Sequence, residues 1–213
     1  MKLRTLSLAA VALLAASSLF GQIREGTVEL EPFGGYLFGG TFARGTTTLF
    51  QGRVDVADAP IYGGRVGYNA TSLFEAEFQY SYTPSNFETT NSGGVFGPGA
   101  TNLGDLTIQY FLGYATFNFG HSRVVPYVTI GAGAATLRPT VAGVNASSDT
   151  RFTASFGGGI KWFINPHFGL RFDGRAYTTS LGTTRYHNCD PYGCSNESWL
   201  TNGSVDGGIL IAF

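Results

Sequence analysis

Apolar and polar positions alternate one by one along most of the chain. Eight segments carry the alternation: 27–38, 61–70, 73–82, 105–119, 125–137, 151–163, 167–177 and 198–213. A period of two marks a β-strand with two unlike faces. In the third segment Phe74, Ala76, Phe78, Tyr80 and Tyr82 share one face, and Glu75, Glu77, Gln79 and Ser81 share the other. In the seventh, Phe168, Leu170 and Phe172 oppose Arg171, Asp173 and Arg175. Most segments run to about ten to fifteen residues, where ordinary strands have about five or six. A tilted strand that crosses a membrane needs about that length. A soluble barrel or sandwich turns its apolar face inward, whereas a membrane barrel turns it outward and keeps the charges inside. Periodicity alone does not choose between them.

The connections favour the second arrangement. Residues 71–72, 120–124 and 164–166 make short links. Residues 39–60, 83–104, 138–150 and 178–197 make long ones, polar and rich in Gly, Ser, Thr and Asn. Short turns at one end and long loops at the other are the habit of membrane barrels. Glycine runs fit as well. GAGA at 131–134 and GGG at 157–159 weaken an ordinary strand, but they relieve crowding and permit bending in a tightly curved barrel. Neither run has the G-x-G-x-x-G spacing of a phosphate-cradling loop.

The first 22 residues break the pattern. MKLR is a positive leader, LSLAAVALLAASSLF is an apolar core, and small residues follow it. This is the form of a secretory signal over 1–22, cut between Ser18 and Gln22, which leaves 23–213 as one barrel domain. The apolar core is short for a membrane helix. After residue 22 no run of 18 apolar residues occurs. Composition agrees: only 13% of the 213 residues are charged, with 31 Gly, 18 Phe and 11 Tyr. That balance argues against disorder and against an ordinary soluble helical protein. A net charge of -1 gives no basic footprint for nucleic acid.

The C-terminal stretch DGGILIAF places a polar residue at Asp206, a glycine at Gly208, a hydrophobic residue at Ile211 and an aromatic ring at Phe213. This resembles the insertion signal of bacterial outer-membrane barrels. RVVPYVTIGAGAATL resembles the fifth strand of the small eight-stranded outer-membrane family of the OmpA/OmpX kind, and residues 23–213 as a whole resemble that family. The resemblance implies an all-β fold: an eight-stranded antiparallel up-and-down transmembrane β-barrel whose last strand closes on its first. It implies a monomer in the cell outer membrane, surrounded by lipid and lipopolysaccharide. During biogenesis the partners are periplasmic chaperones and the outer-membrane assembly machinery. Neither a cofactor nor a resident metal is expected, and the protein is not expected to be an enzyme.

With that orientation, the inward charges are Glu29, Glu31, Arg65, Glu75, Glu77, Lys161, Arg171, Asp173, Arg175 and Asp206. Acids dominate the first and third segments, bases the sixth and seventh. In a ring of eight the third and seventh lie opposite, so Glu75 and Glu77 are expected to pair with Arg171 across the lumen. A lumen of eight strands is just wide enough to be filled by side chains. The expected result is a plug with a structural role, and the alternative is a narrow channel for ions or small solutes. A lipid-modifying barrel enzyme ranks lower. His121 and His167 fall at the tight turns, and His187 has only loop neighbours in Ser195 and Glu197. Cys189 and Cys194, in CDPYGC, read as a disulfide in an exported protein. A metal site with His187 and Asp190 is the lesser alternative, one ligand short. Any specific binding belongs to the long outer loops.

Overall fold

The computed structural model describes residues 23–46, 51–91, 100–120, 122–141, 144–145, 148–180 and 199–213. Eight long strands form the wall: β1 (Val28–Phe38), β2 (Ala59–Asn69), β3 (Phe74–Asn91), β4 (Ala100–Asn118), β5 (Val124–Val141), β6 (Asp149–Phe163), β7 (Phe168–Ser180) and β8 (Trp199–Ala212). Each pairs antiparallel with its sequence neighbours. β8 then pairs with β1, Ile211 opposite Leu30 and Val205 opposite Tyr36, which closes the ring. The terminal residue takes part: Phe213 N donates to Val28 O at 2.9 Å. Closure removes the edges that an open sheet would expose.

Tight turns gather at one end. In the β2–β3 turn the Thr71 hydroxyl accepts from Phe74 N at 2.9 Å. In the β6–β7 turn Asn165 Oδ1 accepts from both His167 N and Phe168 N at 2.9 Å. These side chains satisfy the backbone locally, which is why Thr and Asn stand there. Gly120, in the β4–β5 turn, has φ +128°, a conformation closed to residues with a Cβ.

The opposite end is where the sequence expectation needs correction. Residues 83–91 and 100–104, expected as loop, continue β3 and β4 and stay paired, with a bulge at Phe87/Glu88 opposite Gly104. Residues 39–60, also expected as loop, contain a hairpin of Thr41–Thr46 and Gln51–Val56, whose second strand adds to β3. The 138–150 link likewise holds the end of β5, the start of β6 and a short pairing of Val144–Asn145 against β5. Alternation of polar with apolar fades in these stretches, which are rich in Thr, Ser, Asn and Gly. The pairing is made by backbone groups that such a pattern does not report.

The outward face carries an apolar belt. On β3 it runs from Phe74 to Tyr82, with Phe78 half exposed at 50%. Nine residues at about 3.3 Å each, tilted about 40°, span about 20–25 Å, the height of a bilayer-facing band. Beyond the belt the sense inverts. On β4 the polar Thr107 and Gln109 face outward, while Leu106 and Ile108 are buried at 1% and 0% exposure. Leu37, Val56, Ile61, Leu137 and Leu200 join them in one inner cluster. The outer tier is therefore built like a soluble barrel, apolar inside and polar outside.

Candidate functional site

The lumen is stacked in three layers. At the tight-turn end Ile23, Val125, Phe163, Leu210 and Ala212 form an apolar floor. At the other end stands the apolar cluster just described. Between them lie ten ionisable side chains: Glu29, Glu31, Arg65, Glu75, Glu77, Lys161, Arg171, Asp173, Arg175 and Asp206, all buried. Strand pleating places them there, since each is at an inward position of its strand.

Two ionic groups make up the middle layer. In the first, Lys161 Nζ donates to Glu29 Oε2 and Glu75 Oε2, both at 2.6 Å. Glu29 also accepts from Asn69 Nδ2 at 2.6 Å. In the second, three arginines interleave with four carboxylates. Arg65 contacts Glu31 at 2.7 Å and Asp206 at 2.8 Å. Arg171 spans the lumen to Glu77 at 2.6 Å and holds Asp173 at 2.8 Å. Arg175 reaches Glu77 at 2.9 Å and Asp173 at 2.8 Å. Thus Arg171 meets Glu77 across the barrel, whereas Glu75 pairs with Lys161 rather than with Arg171.

Uncharged side chains complete the network. Gln79 Oε1 accepts from Arg65 Nε at 3.0 Å and Arg175 Nη1 at 2.7 Å, while its amide donates to Tyr177 at 3.2 Å. Tyr127 donates to Asp173. Each arginine also covers a ring: Arg65 on Phe33 at 3.9 Å, Arg171 on Tyr127 at 4.4 Å and Arg175 on Tyr114 at 4.3 Å. A flat guanidinium suits both tasks, in-plane donors for carboxylates and a face for an aromatic ring. Glycine makes room for the acids. A Cβ on Gly208 would stand 2.7 Å from Glu31 Cγ and 2.9 Å from the Pro32 carbonyl.

The charge reading missed these uncharged members. Their signal was parity: with Glu77 and Arg171 inward, Gln79 on β3 and Tyr177 on β7 are inward too, and pairing carries the same rule to Tyr114 and Tyr127. Glu31, Asp173 and Asp206 bring one oxygen each within 4.8 Å of one another. That grouping needs no metal ion, because the Arg65 guanidinium sits among them, its Nη1 3.4 Å from Asp173.

His167 lies exposed at the β6–β7 turn. His121, His187, Asp190 and the cysteine pair Cys189 and Cys194 lie outside the described residues. At the C-terminus Asp206 and Gly208 point into the lumen, while Phe213 is 66% exposed on the outward side.

The chain matches the family described as outer membrane protein beta-barrel domain over residues 6–193. No curated protein matches it. Among solved structures it is similar to Neisserial surface protein A, NspA, at 14% identity and TM-score 0.59, covering 89% of this chain and 100% of that one. The outer membrane protein OprG of Pseudomonas aeruginosa is similar at 12% identity and TM-score 0.57, covering 91% and 98%. Ail, the attachment invasion locus protein of Yersinia pestis, is similar at 14% identity and TM-score 0.51, covering 89% and 100%. At these identities the likeness is one of fold.

Proposed function

Because this chain belongs to the outer membrane protein beta-barrel domain family, we propose that it serves the outer membrane as a closed structural barrel that presents its outer tier and loops to the surroundings. It is an outer-membrane β-barrel of the OmpA-like type, and lipid surrounds its belt. The finer reading rests on one observation: the charged middle layer is roofed and floored by apolar layers. An ion entering from either end meets a cluster of packed apolar side chains first, and then charges already neutralised by partners at 2.6–2.9 Å. Such a plug stiffens the wall and leaves no path.

A narrow ion path is the second reading. Glu75 Oε1, Arg171 Nη2 and both amide atoms of Asn118 are buried without a hydrogen-bond partner, and polar atoms of this kind are where waters thread a lumen. Single-channel recording of the refolded barrel in a planar bilayer decides between them. The structural reading expects silence from protein shown to be inserted. Reproducible discrete openings would overturn it.

The remaining roles belong to the same proposal. Residues 1–22 are the export signal. Asp206, Gly208, Ile211 and Phe213 present the insertion signal to chaperones and assembly machinery. Cys189 and Cys194 form a disulfide in an outer loop. The barrel works as a monomer, and surface contact is made by the outer loops. Lipopolysaccharide is its neighbour in the outer leaflet.

A further inference from the structure

The outward wall is not smooth. Between β4 and β7 it carries an open groove of about 600 Å³. Its floor is a row of small residues in direct register, Gly113 beside Ala132 and Ala132 beside Ala154. Ile130 and Phe156, paired in the adjoining row, form one rim and are 62% and 67% exposed. On the other side the wall continues through Phe111, Ala134 and Phe152 to a polar row of Gln109, Thr136 and Thr150. The groove therefore lies within the apolar belt, close to its outer boundary.

A hollow at that depth faces hydrocarbon, so its occupant is apolar. The narrow floor between aromatic and aliphatic ridges fits a thread better than the wall of another barrel. Charge says what kind of thread. Arg138 stands on the same outward face of β5, three outward positions beyond Ala132, exposed and beside Thr107. That places a cation just past the belt, at headgroup level. No carboxylate faces outward between the groove and Arg138 on β4 or β5; Asp105 is one outward position farther along β4, opposite Thr140. On β6 Arg151 and the exposed Asp149 pair with each other at 2.5 Å, and an outward-facing cation such as Arg138 above an apolar groove complements a lipid whose phosphate sits directly above its chains.

We infer that the groove seats one acyl chain of a phosphorylated glycolipid of the outer leaflet, with Arg138 against its phosphate. This rests on the outer-membrane location and is independent of the plug. The test is native mass spectrometry of the protein exported to the outer membrane and extracted in mild detergent, with lipid A as the probe. Wild type keeps one equivalent of lipid A. Ala132→Phe and Ala154→Phe, which fill the groove from outside, lower retention at least fivefold, and Arg138→Ala lowers it severalfold. Ala76→Phe, on the outward face of β3, leaves retention unchanged. Heat-dependent gel mobility confirms folding of each variant. Wild type that retains no lipid A overturns the inference, whatever the variants do. Equal retention by both groove variants overturns it, as does preferential retention of a phospholipid or a dimer mass that disappears when the groove is filled. Conductance is unchanged in every variant, so failure here and failure of the plug are read separately.

Discussion

Replacing Lys161 with Met tests the plug at its simplest point. The methionine keeps most of the stem volume, so packing changes little. What disappears is the cation that holds Glu29 Oε2 and Glu75 Oε2, each at 2.6 Å. The two oxygens then lie at most about 5 Å apart, and their repulsion at an effective dielectric of 20 amounts to about 3 kcal/mol. Neither reaches bulk solvent, because Glu29 is 3% exposed and Glu75 0%. Removing one member of a buried ion pair costs about 3–5 kcal/mol, and the Coulomb figure sits at the low end of that range. Urea unfolding in detergent micelles reads the result. With a slope of about 2 kcal/mol per molar, the midpoint falls by about 1.5–2.5 M. Neutralising the carboxylates as well, in Lys161→Met with Glu29→Gln and Glu75→Gln, recovers the loss to within about 1 kcal/mol, since a polar trio without charge has no ion to strand. A single variant whose midpoint moves by under about 0.5 M at unchanged slope would refute the reasoning, because a side chain so enclosed has no other way to be neutral in effect.

Three other perturbations probe other layers. Gly208→Ala drives a methyl group against Glu31 and the Pro32 carbonyl; overpacking of this kind costs about 1–3 kcal/mol, visible as a lower urea midpoint. Ile108→Ala hollows the apolar roof, where Ile108 is 0% exposed, and costs about 2–5 kcal/mol; a loss below about 1 kcal/mol would mean that the outer tier has no packed core. Deleting Phe213 separates biogenesis from stability. Its ring is 66% exposed and its N–H donates to Val28 O, so the refolded barrel loses only about 1–3 kcal/mol, while the amount reaching the outer membrane in cells falls sharply. Equal membrane levels would show that the terminal ring is not read during assembly.

The wall was legible in the chain because its two faces differ so strongly. Phe74 to Tyr82 alternates aromatic with acidic or polar, and a lipid-facing belt around a charged lumen is one of few arrangements that satisfies both faces. The inward charges followed from parity alone. Which charge meets which followed only in part, because partner choice across a lumen depends on barrel stagger, a property of the closed ring rather than of any strand. Glu75 therefore meets Lys161 of β6, and Arg171 takes Glu77. The outer tier was illegible for a different reason. From Thr83 and from Gln109 outward the belt's polarity reverses or fades, so a reading tuned to one sense of alternation ends there although the backbone pairing continues.

That reversal supplies one of the two apolar layers between which the buried charges lie. A charged layer open to water would cost little to build, but it would also stabilise little, since solvated ion pairs contribute about 0–1 kcal/mol. Enclosed between Leu106, Ile108 and Leu200 above and Val125, Phe163 and Leu210 below, the same pairs act in a medium where a missing partner is costly. Each arginine is then committed to a particular set of carboxylates, and those sets join β1, β2, β3, β7 and β8 across the lumen. Backbone hydrogen bonds join only neighbouring strands. The ionic layer ties strands that are not neighbours, which is what fixes the cross-section of so small a barrel. Its dependence on the apolar roof is open to a direct check. The Ile108→Ala variant, by admitting water, also weakens the coupling between Arg171 and Glu77. A double-mutant cycle on that pair gives a smaller interaction energy in the Ile108→Ala background than in wild type. An equal or larger value would show that the ionic layer stands without its roof.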